Sequence, residues 1–231
     1  MSFLQKGEGK DLVFLHGYMS DKNAFSLQIR YFSQFFRVTA IDFLGFGKSG
    51  VLLKPYSVSD YAVWTRQVLT DLGVCRPHVI AHSFGCRVAV KTAVLFPDFF
   101  DKMVLTGPAG IILPRKAGYK IKVEAYRFCK KIFPRFAERR FGSKEYRLLS
   151  PIMKESYKKI VNEDLREDAS KVQNSVLIIE GTRDKTTTME EAKIYENAFP
   201  NARLQVLEGG HFAFVDSPLQ FNILTEEFLY E

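Results

Sequence analysis

Three residues of this chain have the types and surroundings for nucleophilic chemistry: Ser83, Asp184 and His211. Ser83 stands in His78-Val79-Ile80-Ala81-His82-Ser83-Phe84-Gly85, with small residues two before it and two after. An apolar run stops at this serine. A new apolar pattern starts at once with Val88, Ala89, Val90, Ala93 and Val94. Two readings fit so sharp a turn. A serine caps a helix well by accepting from its first free N–H groups. Alternatively, the serine is a nucleophile on a tight strand-to-helix turn, where small neighbours let strand and helix approach. A serine hydroxyl attacks poorly until a base takes its proton. His211 is the candidate base, since imidazole is the side chain suited to proton transfer near neutrality. Asp184 is the candidate orienter of that imidazole; its plainer reading is a turn aspartate in Thr182-Arg183-Asp184-Lys185. Asp216 is a rival acid, close to His211 in sequence, but Asp216-Ser217-Pro218 reads better as a helix start with proline at the first helical position.

These residues need elements to hold them. Short apolar runs bounded by turn residues occur at 11–17, 37–43, 78–83, 102–107, 175–181 and 202–210. They read as buried parallel strands. Helical spacing fills the intervals at 24–36, 58–72, 84–96, 189–199 and 217–229. The alternation predicts an α/β fold around a mostly parallel sheet. Ligand sites of such sheets lie beyond the carboxyl ends of the strands. Ser83, Asp184 and His211 each fall just past a strand end, in that chain order. The alternation breaks between residues 110 and 171, about sixty residues of helical spacing, too long for an ordinary connection. This interval reads as a helical insertion over one end of the sheet.

The order Ser, Asp, His is the one expected of α/β-hydrolases. The chain resembles the α/β-hydrolase-fold superfamily, in the group of serine hydrolases with a helical cap. The resemblance rests on His16-Gly17, Asp42 to Ser49, the turn at Ala81 to Gly85, Gly181 with Asp184, and Gly210-His211-Phe212. It implies an α/β-hydrolase fold with a sheet of about seven strands flanked by helices. The core would comprise residues 1–110 and 171–231, and an α-helical cap residues 111–170. It implies a Ser83–Asp184–His211 triad, with an oxyanion held by backbone N–H groups. One N–H belongs to Phe84, right after the nucleophile; by resemblance the other belongs to Tyr18. His16 reads as structural, and His82 as loop packing, because adjacent side chains on a strand diverge. Asp42, Gly45, Gly47 and Ser49 read as a loop-shaping group. Epoxide hydrolases and haloalkane dehalogenases of this fold carry an aspartate at the elbow, and this chain has none there.

The expected activity is cofactor-independent cleavage of a small or medium carboxylic ester, or a related acyl compound, through an acyl-enzyme. A carbon–carbon bond hydrolase, a thioesterase or a lyase would use much the same residues. A non-catalytic ligand-binding protein on the same scaffold is the rival of another class. No cofactor and no metal are expected, since no His or Cys cluster has ligand spacing. Gly45-Phe46-Gly47-Lys48-Ser49 lacks the spacing of a phosphate loop. Cys75, Cys86 and Cys129 fit neither a disulfide framework nor a zinc site; Cys86 reads as a small buried hydrophobe. With no long apolar span and no secretory leader, the expectation is a cytoplasmic protein. The net charge is +7 over 231 residues. Residues 111–150 hold twelve Lys and Arg against three Glu, so this interval carries the whole basic excess. The plain reading is a solvated cap face. The functional readings are attraction of an anionic substrate or contact with an anionic membrane surface. Nucleic acid is not expected, for the fold offers no reader element.

Overall fold

A computed structural model describes residues 1–114, 146 and 148–231. Seven strands form one sheet: β1 (Ser2–Lys6), β2 (Asp11–Leu15), β3 (Arg37–Asp42), β4 (His78–His82), β5 (Met103–Thr106), β6 (Val176–Gly181) and β7 (Ala202–Leu207), in spatial order β1-β3-β2-β4-β5-β6-β7. Only β1 runs antiparallel, pairing Ser2 with Asp42 and Lys6 with Val38. The remaining neighbours are parallel. The six runs read from sequence are β2 to β7, and the short N-terminal stretch supplies β1.

Strands β2, β4, β5 and β6 are buried at every position. A strand covered on both faces needs apolar residues on both, which is why these runs do not alternate. The pleat still sorts them. Val13, Leu15, Val79, Ala81, Leu105 and Ile178 join one core, with α2 (Val58–Asp71) and α3 (Phe84–Leu95). Leu12, Phe14, Ile80, Val104, Leu177 and Ile179 join the other, with α1 (Ser26–Phe32) and the C-terminal α8 (Pro218–Tyr230). On α2, Val58, Tyr61, Ala62, Thr65, Val68 and Leu69 are buried, a single stripe at helical spacing. Between α3 and β6 lie α4 (Pro151–Val161) and α5 (Arg166–Ala169); α6 (Met189–Ala198) follows β6, and α7 (Ala213–Asp216) precedes α8.

Two boundaries differ from the sequence reading. The helix expected at 24–36 is a 3₁₀ turn, Lys22–Phe25, started by the Asp21 side chain and followed by α1 only to Phe32. Four residues of α7 precede the last helix, too few for any period to register. The interval 111–170, expected as a cap, contains α4 and α5. Its basic stretch, Lys130 and Lys131 included, lies outside the described residues. Cys129 lies outside them too. Cys86 is fully buried and Cys75 exposed. Among the described residues no helix is long and apolar enough to cross a membrane.

Candidate active site

The chain reverses its strand order between β2 and β4, so the loops leaving these two strands meet. Their contact explains two small residues. A Cβ on Gly17 would stand 2.8 Å from His82 Nδ1 and 3.5 Å from Ser83 Cβ. A Cβ on Gly85 would stand 2.3 Å from the Leu15 carbonyl oxygen. Glycine at both positions is what lets α3 start against the end of β2.

Ser83 joins β4 to α3 at φ +51° and ψ −109°. A positive φ with that ψ is a strained conformation for a residue with a Cβ, worth about 1–3 kcal/mol. Its side chain makes no capping hydrogen bond to α3. The capping reading of this serine is therefore not the one the chain adopts. The turn is held instead by backbone, with Ser83 N–H donating to the Thr106 carbonyl at 3.1 Å and Cys86 N–H to the Ser83 carbonyl at 3.1 Å.

Asp184 and His211 come together from the ends of β6 and β7. Asp184 Oδ2 lies 2.6 Å from His211 Nδ1. The aspartate side chain has no exposure, and that of the histidine has 16%. Asp184 makes two sets of contacts. Its Oδ1 accepts the Thr186 and Thr187 N–H groups at 2.7 and 3.1 Å, which is turn chemistry. Its Oδ2 accepts the Thr187 hydroxyl at 2.9 Å and faces the imidazole. Burial opposes the charge, but the hydrogen bonds from His211, Thr186 and Thr187 outweigh it and hold the carboxyl at about 2. Asp216 does not face the ring. Its Oδ2 accepts the Gly210 N–H at 2.7 Å, so it braces the loop that carries His211 rather than capping α8 as the sequence suggested. Pro218 does open that helix.

One cavity of about 420 Å³ is lined by Ser83, His211, Phe84 and Tyr18 together, with Gly110, Ile111, Ile160 and Tyr157 among its other walls. The first N–H groups of a helix have no partner within it, and Phe84 is the first residue of α3. Among the described backbone bonds neither the Phe84 nor the Tyr18 N–H has an acceptor. Both residues line the cavity together with the serine.

The remaining sequence candidates brace loops. His16 is fully buried; its Nδ1 is 2.7 Å from the Gly17 carbonyl, and its Nε2 accepts the Phe43 N–H at 3.0 Å. Burial keeps it neutral. His82 Nε2 lies 2.9 Å from the His211 carbonyl. Burial, then the nearby His211, press its pKa down to about 3, so His82 is a neutral donor to the His211 backbone. Asp42 accepts Lys22 N–H, Lys22 Nζ and Lys48 N–H at 2.8 to 2.9 Å, and its carbonyl accepts the Ser49 hydroxyl.

Two neighbours of the site were not foreseen. Thr187 shares Asp184 with His211, lying 3.2 Å from His211 Nδ1. Glu180 is fully buried at the end of β6, and its Oε2 has no partner among the described groups. Burial first, then the charge of Asp184, push its carboxyl up to about 8. A lone acid directly after the apolar run Val176 to Ile179 was the available signal. Among the described residues no group of His, Cys, Asp or Glu has the geometry to hold a metal.

The model of the α/β-hydrolase fold family matches residues 11–145. The chain belongs to the α/β-hydrolase fold family. It is an α/β-hydrolase enzyme; membership does not decide which bond it cleaves. The 2-hydroxymuconate semialdehyde hydrolase of Pseudomonas putida is 26% identical over 224 residues, covering 86% of this chain and 79% of that one. An uncharacterized protein of Mycobacterium tuberculosis is 26% identical across 99% of this chain and 77% of its own length. Among solved structures, an esterase from Exiguobacterium antarcticum superposes with a TM-score of 0.79 at 23% identity, over 99% of this chain and 95% of that one. The enol-lactonase from Burkholderia xenovorans LB400 does so with a TM-score of 0.78 at 22% identity, over 100% and 96%. At these identities the two structures speak for the fold.

Proposed function

We propose that this hydrolase cleaves a small or medium carboxylic ester, or a related acyl compound, through an acyl-enzyme on Ser83. The observation that carries the reading is the strained Ser83 with an uncapped side chain, in one cavity with a His211 held by a buried carboxylate. His211 Nδ1 is turned to Asp184, which leaves Nε2 for the serine proton. Ser83 Oγ attacks the carbonyl as Nε2 takes that proton. The oxyanion accepts from the Tyr18 and Phe84 N–H groups. The imidazolium then protonates the leaving alcohol. Water, deprotonated by the same nitrogen, releases the acid.

The test is covalent labelling by a fluorophosphonate, with p-nitrophenyl esters of graded chain length as substrates. One added phosphonyl mass per chain, located on Ser83 and missing from Ser83→Ala, is the expected result. A chain that neither labels nor hydrolyses any ester would overturn the ester reading.

The likeness to 2-hydroxymuconate semialdehyde hydrolase over most of the chain favours carbon–carbon cleavage as the second reading. It would use the same side chains. Turnover of a vinylogous diketo acid well above that of every ester would select it.

A further inference from the structure

Arg87 stands one helical turn beyond Ser83 on α3 and lines the same cavity. A rise of about 1.5 Å per residue sets it about 6 Å along the helix axis from the serine. The residue is only 7% exposed. A guanidinium carries five N–H donors and keeps its charge in proteins. One of these, Nη1, donates to the Glu163 carbonyl at 2.7 Å. Among the described residues no carboxylate comes within ion-pair distance of Arg87.

The acids around it are engaged elsewhere. Glu163 Oε1 pairs with Lys91 Nζ at 2.8 Å. Asp164 accepts the Ile112 N–H at 2.9 Å and lies 3.4 Å from Arg166 Nη2. Glu191, also on the cavity wall, accepts the Thr188 N–H at 2.6 Å and closes the start of α6. Burial weakens the hold of Arg87 on its proton, and the pull of Tyr195, Glu163, Asp164 and Glu191 does not restore it. A buried cation without its own anion is costly to keep. A planar guanidinium meets a carboxylate through two parallel hydrogen bonds.

We propose that Arg87 is the receptor for a carboxylate on the substrate, so that this hydrolase prefers esters bearing a carboxylate several bonds from the reacting carbonyl. This rests on the hydrolase reading above, with Ser83 as nucleophile. The rival account is a strut, in which Arg87 does no more than tie α3 to the loop before α5.

Two matched ester pairs separate these accounts. One is p-nitrophenyl hemiadipate against p-nitrophenyl hexanoate, with the carboxylate on the acyl side. The other is 6-butyryloxyhexanoate against hexyl butyrate, with the carboxylate on the alcohol side. The readout is the anionic-to-neutral ratio of kcat/KM at high salt, where surface charges are screened. The parent should favour the anionic member of at least one pair by about tenfold to a hundredfold, the range for hydrogen bonds to a charged group. Arg87→Gln should abolish that ratio. Arg87→Lys, which keeps the charge but not the fork, should fall between. A parent ratio near one in both pairs, or a parent ratio unchanged in either variant, overturns the proposal. Should Arg87→Gln fail to fold, the ratio in Arg87→Lys decides. Failure of the hydrolase reading shows differently, as no labelling of Ser83 and no turnover of the neutral esters. In that event the adipate dianion tests Arg87 directly. It should raise the melting temperature of the parent more than that of Arg87→Lys, and equal shifts would overturn the receptor role.

Discussion

At the scale of single residues, the backbone of Ser83 separates activity from stability. The conformation at φ +51° is one that glycine adopts without a steric cost. Ser83→Gly should therefore raise stability by about 1 kcal/mol while abolishing ester turnover. Denaturant unfolding and an esterase assay on one sample check both halves. Equal or lower stability would mean that the turn holds no strain. The acids differ as sharply. Asp184 faces Nδ1 of His211, whereas Asp216 faces the Gly210 N–H. Asp184→Asn lets the amide favour the wrong tautomer, and kcat should drop by about 10⁴. Asp216→Asn keeps an oxygen for the Gly210 N–H and should cost far less. Kinetics on the two variants would expose a wrong choice of acid by reversing their order.

At the scale of elements, the site is a set of contacts between strand ends. The α3 start lies against β2 because position 85 has no side chain; a methyl there would meet the Leu15 carbonyl oxygen at 2.3 Å. Backbone cannot step aside as a flexible side chain can. Gly85→Ala should push α3 outward, destabilise the fold by about 1–3 kcal/mol or more, and disturb the Phe84 N–H with it. Loss of activity with unchanged thermal stability would argue against this packing account. On the far side, α6 begins at Thr188, whose hydroxyl and N–H exchange hydrogen bonds with Glu191. The same three-threonine turn holds Asp184, so the loop that orients the acid also starts the helix.

At the scale of the whole molecule, one buried carboxyl ties global stability to pH. Glu180 ionises at about 8 in the folded chain against an ordinary 4.5. Below the ordinary value the group is neutral in both states and contributes nothing. Above it the unfolded chain ionises first, so the native state is disfavoured progressively until about pH 8. The slope is at most about 1.4 kcal/mol per pH unit. Glu180→Gln should remove this penalty. Its gain in melting temperature over the parent should be near zero at the acid end of that window and largest at the alkaline end. A gain independent of pH would sink the assignment. Asp184 acts with the opposite sign and elsewhere: its stabilising contribution is lost as pH falls from about 4 through about 2.

The alternation of apolar runs with helical spacing, and the chain order of Ser83, Asp184 and His211, were legible in the sequence alone. Both are local: a strand or helix writes its period into neighbouring residues, and a reactive residue just past a strand end needs no distant information. The sequence could not tell a capping serine from a strained one, because the difference is a backbone angle imposed by β2 pressing on α3. It set Asp216 aside as part of a helix start, but could not show what holds that acid instead, the Gly210 N–H on the loop before His211. Thr187, Glu180 and Arg87 acquire meaning only from what surrounds them. Burial of Glu180 between strands, and the pairing of Lys91 with Glu163 and Asp168 that leaves Arg87 without an acid, join residues up to 77 positions apart. Such contacts are decided by the strand order of the sheet, which no local pattern encodes.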